Sequence, residues 1–191
     1  MPWHYWVLRK FATAEAPKEW VRILEELKSI LPTKYIDKIE VAAFSIRGKR
    51  IARWQLKKDH AEYSTKQNAL EAAKKLTWLL LKSRNAPSIS EQLNLLLNKD
   101  RNFPEEITCC PICKEIINYE DFKRSGRTDP VSIQMGHLTP LSRKKGGHNS
   151  KNVIWVHRRC NYIQDEQTVS ETIDTLRQIL ERHGYKISSK S

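Results

Sequence analysis

Apolar residues recur at helical spacing in four stretches of the chain. In Lys18–Leu31 they lie three and four residues apart until a proline follows, and this pattern predicts a helix. Ser64–Ser83 and Ser88–Leu97 predict a second and a third helix, because each opens with the residue types of a capping box. A fourth helix is expected from Thr168, and Gly184 is its expected end.

Between the first two predicted helices the pattern changes to short apolar runs around a basic turn. Ile39–Ile46 and Ile51–Leu56 indicate two strands on either side of residues 47–50. We therefore expect a β-hairpin at this position. Bulky and polar residues also alternate over Trp3–Phe11, which predicts a further strand.

The polar segment Asn98–Pro104 is the expected boundary between two domains. Long helices dominate before it, whereas short strands and turns are expected after it as far as Val156. We therefore divide the chain into residues 1–104 and residues 105–191.

The charge of the chain indicates a polyanionic partner. Lys and Arg number 34 against 22 Asp and Glu among 191 residues, which gives a formal net charge of +12. Nucleic acid is the commonest partner of so basic a protein. The basic excess is densest at the predicted hairpin, around Arg47, Lys49, Arg50 and Arg53. We expect residues 1–104 to recognise DNA or to form a dimer, and a solvated face without a partner is the alternative.

The chain lacks the patterns of membrane insertion or export. No apolar run approaches the ~20 residues that a membrane span requires. The first residues, MPWHYWVLRKF, lack the apolar core and the cleavage site of a signal peptide. We expect a cytoplasmic protein that has no membrane contact.

Two short cysteine and histidine pairs indicate a metal site. Cys110 and Cys113 form a C-x2-C pair, and His157 and Cys160 form an H-x2-C pair far downstream. Clustered cysteines in an intracellular protein favour metal binding over disulfides. Three thiolates and one imidazole are typical ligands of structural Zn²⁺. Cys109 is the remaining cysteine. Its spacing to Cys113 is C-x3-C, which fits a metal-binding pair less well than C-x2-C.

The segment between these pairs resembles a known nuclease family. Residues 136–161 read GHLTPLSRKKGGHNSKNVIWVHRRCN. The His followed by Pro, the Gly-Gly pair, the Asn before an apolar strand and the final Cys-Asn pair resemble the HNH nucleases, also called the ββα-metal family. The resemblance covers residues 110–168. It implies an α+β fold in which a mixed helix and hairpin domain precedes a ββα-metal nuclease domain built on the zinc site.

The resemblance also implies a reaction and its residues. The family hydrolyses phosphodiester bonds, here in double-stranded DNA, and uses a divalent cation, Mg²⁺ or Mn²⁺. His137 takes the position of the general base, and Asn152 takes the position of the residue that holds the loop and fixes this histidine. Asn161 takes the position of a cation ligand. A histidine titrates near neutral pH and suits a base, and Mg²⁺ prefers oxygen ligands.

The sequence departs from the family pattern at one position. Gly136 lies where most members have an Asp or His that binds the cation. Gln134 points to the same side of the predicted strand and is our candidate for the second ligand, with Asp165 and Glu166 as alternatives. We interpret His148 as a solvated loop residue, although it could contact a phosphate.

Basic residues beside this loop are candidate DNA contacts. We expect Arg143, Lys144 and Lys145, together with the basic hairpin turn, to contact the DNA backbone, which positions a duplex without reading it.

Several functions remain open at this point. The small nuclease module with a basic extra domain suits a site-specific restriction enzyme, which would act as a homodimer on a symmetric site and need no small-molecule cofactor. A phage or mobile-element nuclease is an alternative. Gly136 favours a zinc-stabilised DNA-binding module without cleavage. The last alternative is an RNA nuclease or RNA-binding factor, in which single-stranded bases would stack on the aromatic residues Trp3, Tyr5, Trp6 and Trp54.

Overall fold

A computed structural model describes residues 16–46, 51–98, 103–124, 129–143 and 146–186. Several predictions fall outside these ranges. They concern the strand Trp3–Phe11 and the basic residues Arg47, Lys49, Arg50, Lys144 and Lys145.

The described residues form an α+β fold with six α-helices and two strands. In chain order these are α1 (Lys18–Ile30), α2 (Thr33–Phe44), α3 (Lys66–Leu81), α4 (Glu91–Asn98), β1 (Ile133–His137), β2 (Val153–His157), α5 (Arg158–Gln164) and α6 (Val169–Arg182). Two short 3-10 turns complete the set, at Arg53–Gln55 and Tyr119–Lys123. The predicted α+β class is confirmed.

Four helices occur where the apolar spacing predicts them, namely α1, α3, α4 and α6. The cap of α6 also agrees, because Thr168 and Glu171 form a capping box. The cap of α3 differs by one residue. The Thr65 hydroxyl accepts the Asn68 backbone N–H at 3.1 Å, whereas the Ser64 hydroxyl donates to the carbonyl of His148 at 2.7 Å.

The predicted hairpin over Ile39–Ile46 and Ile51–Leu56 is wrong. Residues 39–44 belong to α2, and within the described residues the two segments share one isolated bridge, between Ser45 and Ala52. The physical reason is the spacing of the buried residues of α2, which follow one face of a helix: Tyr35, Ile36, Ile39, Ala43 and Phe44. Pro32 directly precedes α2. A proline suits the start of a helix as well as the position after its end, so Pro32 both follows α1 and introduces α2.

Helix α3 lies at the centre of the core. Its residues are buried on nearly every side, which is typical of a helix surrounded by other elements. It packs against α2, α4 and β2, and the Trp155 indole N–H donates to the Leu76 carbonyl at 2.8 Å. The main core includes Trp20 and Leu70 from one predicted domain and Ile117 and Trp155 from the other. No helix in the described ranges combines the length and the apolar character needed to cross a bilayer.

The two strands form an antiparallel sheet that carries the candidate site. Ile133 pairs with His157 and His137 pairs with Val153. One face, with Ile133 and Trp155, belongs to the main core, whereas Val156 belongs to a small cluster with cysteines 110 and 160. Helix α5 follows β2 directly and packs against both strands. The strand–strand–helix order agrees with the resemblance, and the assignment to the ββα-metal class stays a prediction.

Candidate active site and metal centre

The structure brings the four predicted zinc ligands together. One ligand atom from each of Cys110, Cys113, His157 and Cys160 lies within 4.8 Å of the others. The Cys113 sulfur and His157 Nδ1 are 3.3 Å apart. Cys109 is outside the group, and its thiol points to the Ile107 carbonyl at 3.5 Å. A group of three thiols and one imidazole could hold a metal such as zinc.

Two distant pieces of backbone present these ligands. The first is a tight turn in which Cys110 N–H donates to the Glu115 carbonyl at 2.9 Å and Lys114 N–H donates to the Cys110 carbonyl at 3.0 Å. Lys114 adopts a left-handed conformation with φ of 60°, which closes the turn. The second piece is the junction of β2 and α5, since His157 ends the strand and Cys160 lies in the first turn of the helix. A metal at this group would cross-link the two pieces.

The chemistry of the four side chains fits a divalent cation. Burial raises the pKa of Cys160 to about 12 and also raises the pKa of Cys113, because an isolated thiolate is poorly solvated there. Burial lowers the pKa of His157, which keeps its ring in the neutral form that binds metals. A cation in the middle of the group would supply the positive charge that buried thiolates need.

His137 lies at the end of β1 and is held through its backbone and its ring. Its carbonyl accepts the Gln164 side-chain N–H of α5 at 2.7 Å. Its Nε2 is 3.2 Å from Nδ1 of His148. Burial, and then the positive charge of Arg53, lowers the pKa of His137 to about 4. The ring is therefore neutral at pH 7 and carries an unshared electron pair that can take up a proton.

His148 is a buried residue, so our interpretation of it as a solvated loop residue is wrong. Its exposed fraction is 2%. Its Nε2 lies 2.8 Å from the Ala43 carbonyl at the end of α2, and its own carbonyl accepts the Ser64 hydroxyl. Burial, and then the charge of Arg53, lowers the pKa of His148 well below its ordinary value. No local signal could have found these contacts, because Ala43 and Ser64 are 105 and 84 residues away in the sequence.

Asn152 ties together the two ends of the loop between β1 and β2. Its Oδ1 accepts the Thr139 backbone N–H at 2.8 Å, and its Nδ2 donates to the carbonyls of Thr139 and Gly147 at 2.8 and 2.9 Å. These bonds are those of a residue that holds a loop. The ring of His137 is contacted by His148 instead.

Two amide side chains lie beside each other on the α5 face of the sheet. Asn161 Nδ2 donates to Gln134 Oε1 at 3.4 Å. Gly136 allows this helix to approach, because an added Cβ would lie 3.2 Å from Asn161 Oδ1 and 3.0 Å from a Val156 methyl. Amide oxygens are the donor type that Mg²⁺ prefers, but they carry no charge. A DNA phosphate would have to supply the negative charge.

The alternative cation ligands lie elsewhere. Glu166 accepts a hydrogen bond from the Ser142 hydroxyl, so its carboxylate is turned toward the loop. Asp165 follows the last residue of α5 with a φ of 46°. Of the candidates for a second ligand, Gln134 is the one whose side chain contacts Asn161.

Of the basic residues predicted at the DNA-binding surface, Arg143 and Arg53 lie within the described ranges. Arg143 is half-exposed, and its Nη2 lies 3.3 Å from the Glu166 carbonyl and 3.5 Å from a Glu171 oxygen. Arg53 is only 3% exposed and forms an ion pair with Glu62. Arg53 therefore belongs to the interior beside the two histidines and is not part of a DNA-facing turn.

Comparisons with known proteins agree with this fold. The model of a family described as DraIII matches residues 13–160. A solved structure described as a crystal structure of a type II restriction endonuclease resembles the chain with a TM-score of 0.69 and 21% identity. That match covers 85% of this chain and 81% of the other. No curated protein matches the sequence.

Proposed function

The chain belongs to the DraIII family, which is related to restriction endonucleases, and from this we propose that it is a restriction-type endonuclease. Its reaction is the site-specific hydrolysis of phosphodiester bonds in double-stranded DNA with a divalent cation. The fold shared with a type II restriction endonuclease supports the proposal. The observation that carries the chemistry is the neutral, doubly held His137 at the end of β1.

His137 is the general base of the proposed reaction. Its neutral imidazole takes a proton from a water molecule, and the resulting hydroxide forms a new bond to phosphorus. The bond from phosphorus to the 3′ oxygen breaks, and that oxygen leaves and takes up a proton from a second water molecule. Asn152 keeps the loop beside His137 in place. A cation, Mg²⁺ or Mn²⁺, held by Asn161 and Gln134 would stabilise the charge that develops on the phosphate oxygens.

A plasmid cleavage assay with Mg²⁺ tests the proposal. We expect discrete fragments from the wild-type protein and none from His137→Ala. His183→Ala is the matched control, since this exposed histidine follows α6 away from the site and its loss should change nothing. A wild-type protein that cuts neither in Mg²⁺ nor in Mn²⁺ would contradict the proposal.

The second candidate is a DNA-binding module without cleavage. Gly136 favours it, because the position leaves the α5 face without a charged cation ligand. Retained duplex binding without cleavage would select this function. The RNA alternative loses support at Trp54, whose ring packs edge-on against Phe44 with centroids 5.8 Å apart. A ring packed in this way serves the core rather than base stacking.

Zinc and a second copy of the chain complete the proposal. We place structural Zn²⁺ at Cys110, Cys113, His157 and Cys160, which form the Cys3His group of the structure. The two-fold symmetry of a palindromic site matches that of a homodimer, so we propose that two copies act together on DNA. Sedimentation of the protein on a cognate duplex would show two chains for each duplex.

A further inference from the structure

The contact between His137 and His148 determines where the protons of both rings lie. A carbonyl oxygen can only accept a hydrogen bond, so the 2.8 Å contact to the Ala43 carbonyl requires a proton on His148 Nε2. His148 is fully buried and faces the positive charge of Arg53, which favours the neutral ring. A neutral ring has only one N–H, so Nδ1 of His148 is an acceptor.

The same reasoning then applies to His137. Its Nε2 lies 3.2 Å from the accepting Nδ1 of His148, so Nε2 of His137 carries the proton that is donated. The ring centroids are 5.5 Å apart and the ring planes are inclined by 67°. His137 is also neutral, and its unshared electron pair therefore lies on Nδ1.

We propose that His148 is a positioning residue that fixes His137 in the tautomer with its proton on Nε2, so that Nδ1 is the atom that accepts the proton from water. This inference rests on the proposed function, in which His137 is the base. It also names a role for Ala43, because the carbonyl of this residue determines the tautomer of both rings.

His148 is suited to this role because several groups hold it in place. The Ser64 hydroxyl binds its carbonyl at 2.7 Å, and Asn152 binds the carbonyl of the preceding Gly147 at 2.9 Å. The partners Ala43 and Ser64 come from the helical part of the chain, whereas His137 and His148 come from the sheet and its loop. The helical part therefore controls the state of the base in the other part.

The first test reads the tautomer directly. The full-length protein is labelled with ¹⁵N-histidine, and long-range ¹H–¹⁵N correlation spectra are recorded at neutral pH. The His137 signals are assigned by their loss in His137→Ala. We expect both His137 and His148 to show protonated Nε2 and unprotonated Nδ1. A His137 ring protonated on Nδ1 would overturn the proposal.

The second test uses two variants of similar size. In His148→Asn the side-chain oxygen can take the place of Nδ1 and accept from His137, whereas His148→Leu has no acceptor. Both variants lose the bond to Ala43, so a merely structural role would affect them alike. We expect kcat to fall by about tenfold or more in His148→Leu, with KM little changed, and to stay within about threefold of wild type in His148→Asn. Equal losses of kcat would overturn the proposal.

The outcomes separate this inference from the proposed function. If the wild-type protein cuts plasmid DNA in neither Mg²⁺ nor Mn²⁺, the proposed function fails, and the wild-type spectrum still decides the tautomer of His137. If either variant unfolds, as judged by its thermal melt, the wild-type spectrum again decides. If the protein cuts DNA but His137 carries its proton on Nδ1, only the role of His148 fails.

Discussion

Gly136 limits the charge that the α5 face of the sheet can offer to a cation. In Gly136→Asp a carboxylate would lie next to Asn161 Oδ1, which an added Cβ approaches to 3.2 Å. We expect the Mg²⁺ concentration for half-maximal cleavage to fall by about tenfold, because the variant adds a charged oxygen ligand at a position that has no side chain.

Gly136→Ala is the matched control for this prediction. It introduces the same 3.0 Å contact with the Val156 methyl but adds no ligand. Its cost should be limited to about 1–3 kcal/mol of overpacking, which a thermal melt measures. Equal Mg²⁺ requirements for the Asp and Ala variants would contradict a cation site at Asn161.

The buried histidine pair predicts how stability depends on pH. The pKa of His137 is lowered to about 4, and that of His148 is also lowered, so the unfolded chain binds more protons than the folded chain below about pH 6.5. The stabilisation is complete above the unfolded pKa and is lost as the pH falls toward the folded pKa. We expect the Tm to fall between pH 7 and pH 4.5.

A variant identifies which groups cause this loss. His148→Asn removes one of the two titrating rings, so its Tm should fall less than that of wild type over the same interval. His183→Asn is the control, because His183 is an exposed residue at the C-terminal end of α6. Identical pH profiles for wild type and His148→Asn would show that His148 does not titrate in this window.

Sequence could predict the residues that act through local spacing, but not those that act through distant contacts. The Cys3His group is predictable because its two x2 pairs are visible along the chain, and its ligand atoms meet within 4.8 Å. The burial of His148 is not predictable in this way, because its partners Ala43 and Ser64 are far away in the sequence. The burial of Arg53 is not predictable from its position in a basic turn either, because it depends on how the fold packs around the ion pair with Glu62.

At the scale of elements, the Cys3His group joins the turn around Cys110 to the start of α5. Its loss should therefore loosen β2 and α5 relative to that turn. We expect about one zinc ion for each wild-type chain, and a chelator should lower the Tm, since structural zinc can contribute about 10 kcal/mol in small domains. Metal analysis and thermal melts measure the two effects.

Cysteine variants make this prediction specific. Cys160→Ala should lose both the metal and the chelator-sensitive part of the stability. Cys109→Ala is the matched control, because Cys109 neighbours a ligand but lies outside the group. An unchanged Tm after complete removal of the metal would contradict a structural role.

The elements themselves were predictable wherever one helical face is apolar and a cap is present. Thr168 marks the start of α6 by a capping box that the sequence displays. The second half of α2, from Ile39, resembles a strand in the sequence, because its short apolar run suits either structure and Pro32 can end a helix as well as begin one. What decides between them is packing, since α2 is buried against α3.

At the scale of the molecule, the core and the candidate site both combine the two predicted domains. Trp20 and Trp155 belong to one hydrophobic cluster, and Ala43 contacts His148 across the same boundary. A substitution in the helical part can therefore alter the ring of His137 without touching it. The roles of residues 1–104 in recognition or dimerisation stay predictions, because they concern partners rather than packing.

The net charge of +12 makes DNA binding a property of the whole molecule that salt should weaken. Each phosphate contact contributes about 0.9 to the slope of log K against log salt. If half-exposed Arg143 contacts a phosphate, Arg143→Ala should reduce the magnitude of this slope by about 0.9, the value for one contact. The sequence preference of binding should not change. Binding is measured in the His137→Ala background, so that the duplex stays intact.

Arg177→Ala is the control for the salt experiment, since Arg177 is equally exposed on α6 and pairs with Asp174. The same net charge is lost, so a general electrostatic effect would move both slopes alike. A slope that falls only in Arg143→Ala places the DNA backbone beside the loop that Asn152 holds, and thus beside His137. Equal slopes would remove Arg143 from the DNA contacts and leave the approach of the duplex to residues elsewhere on the basic surface.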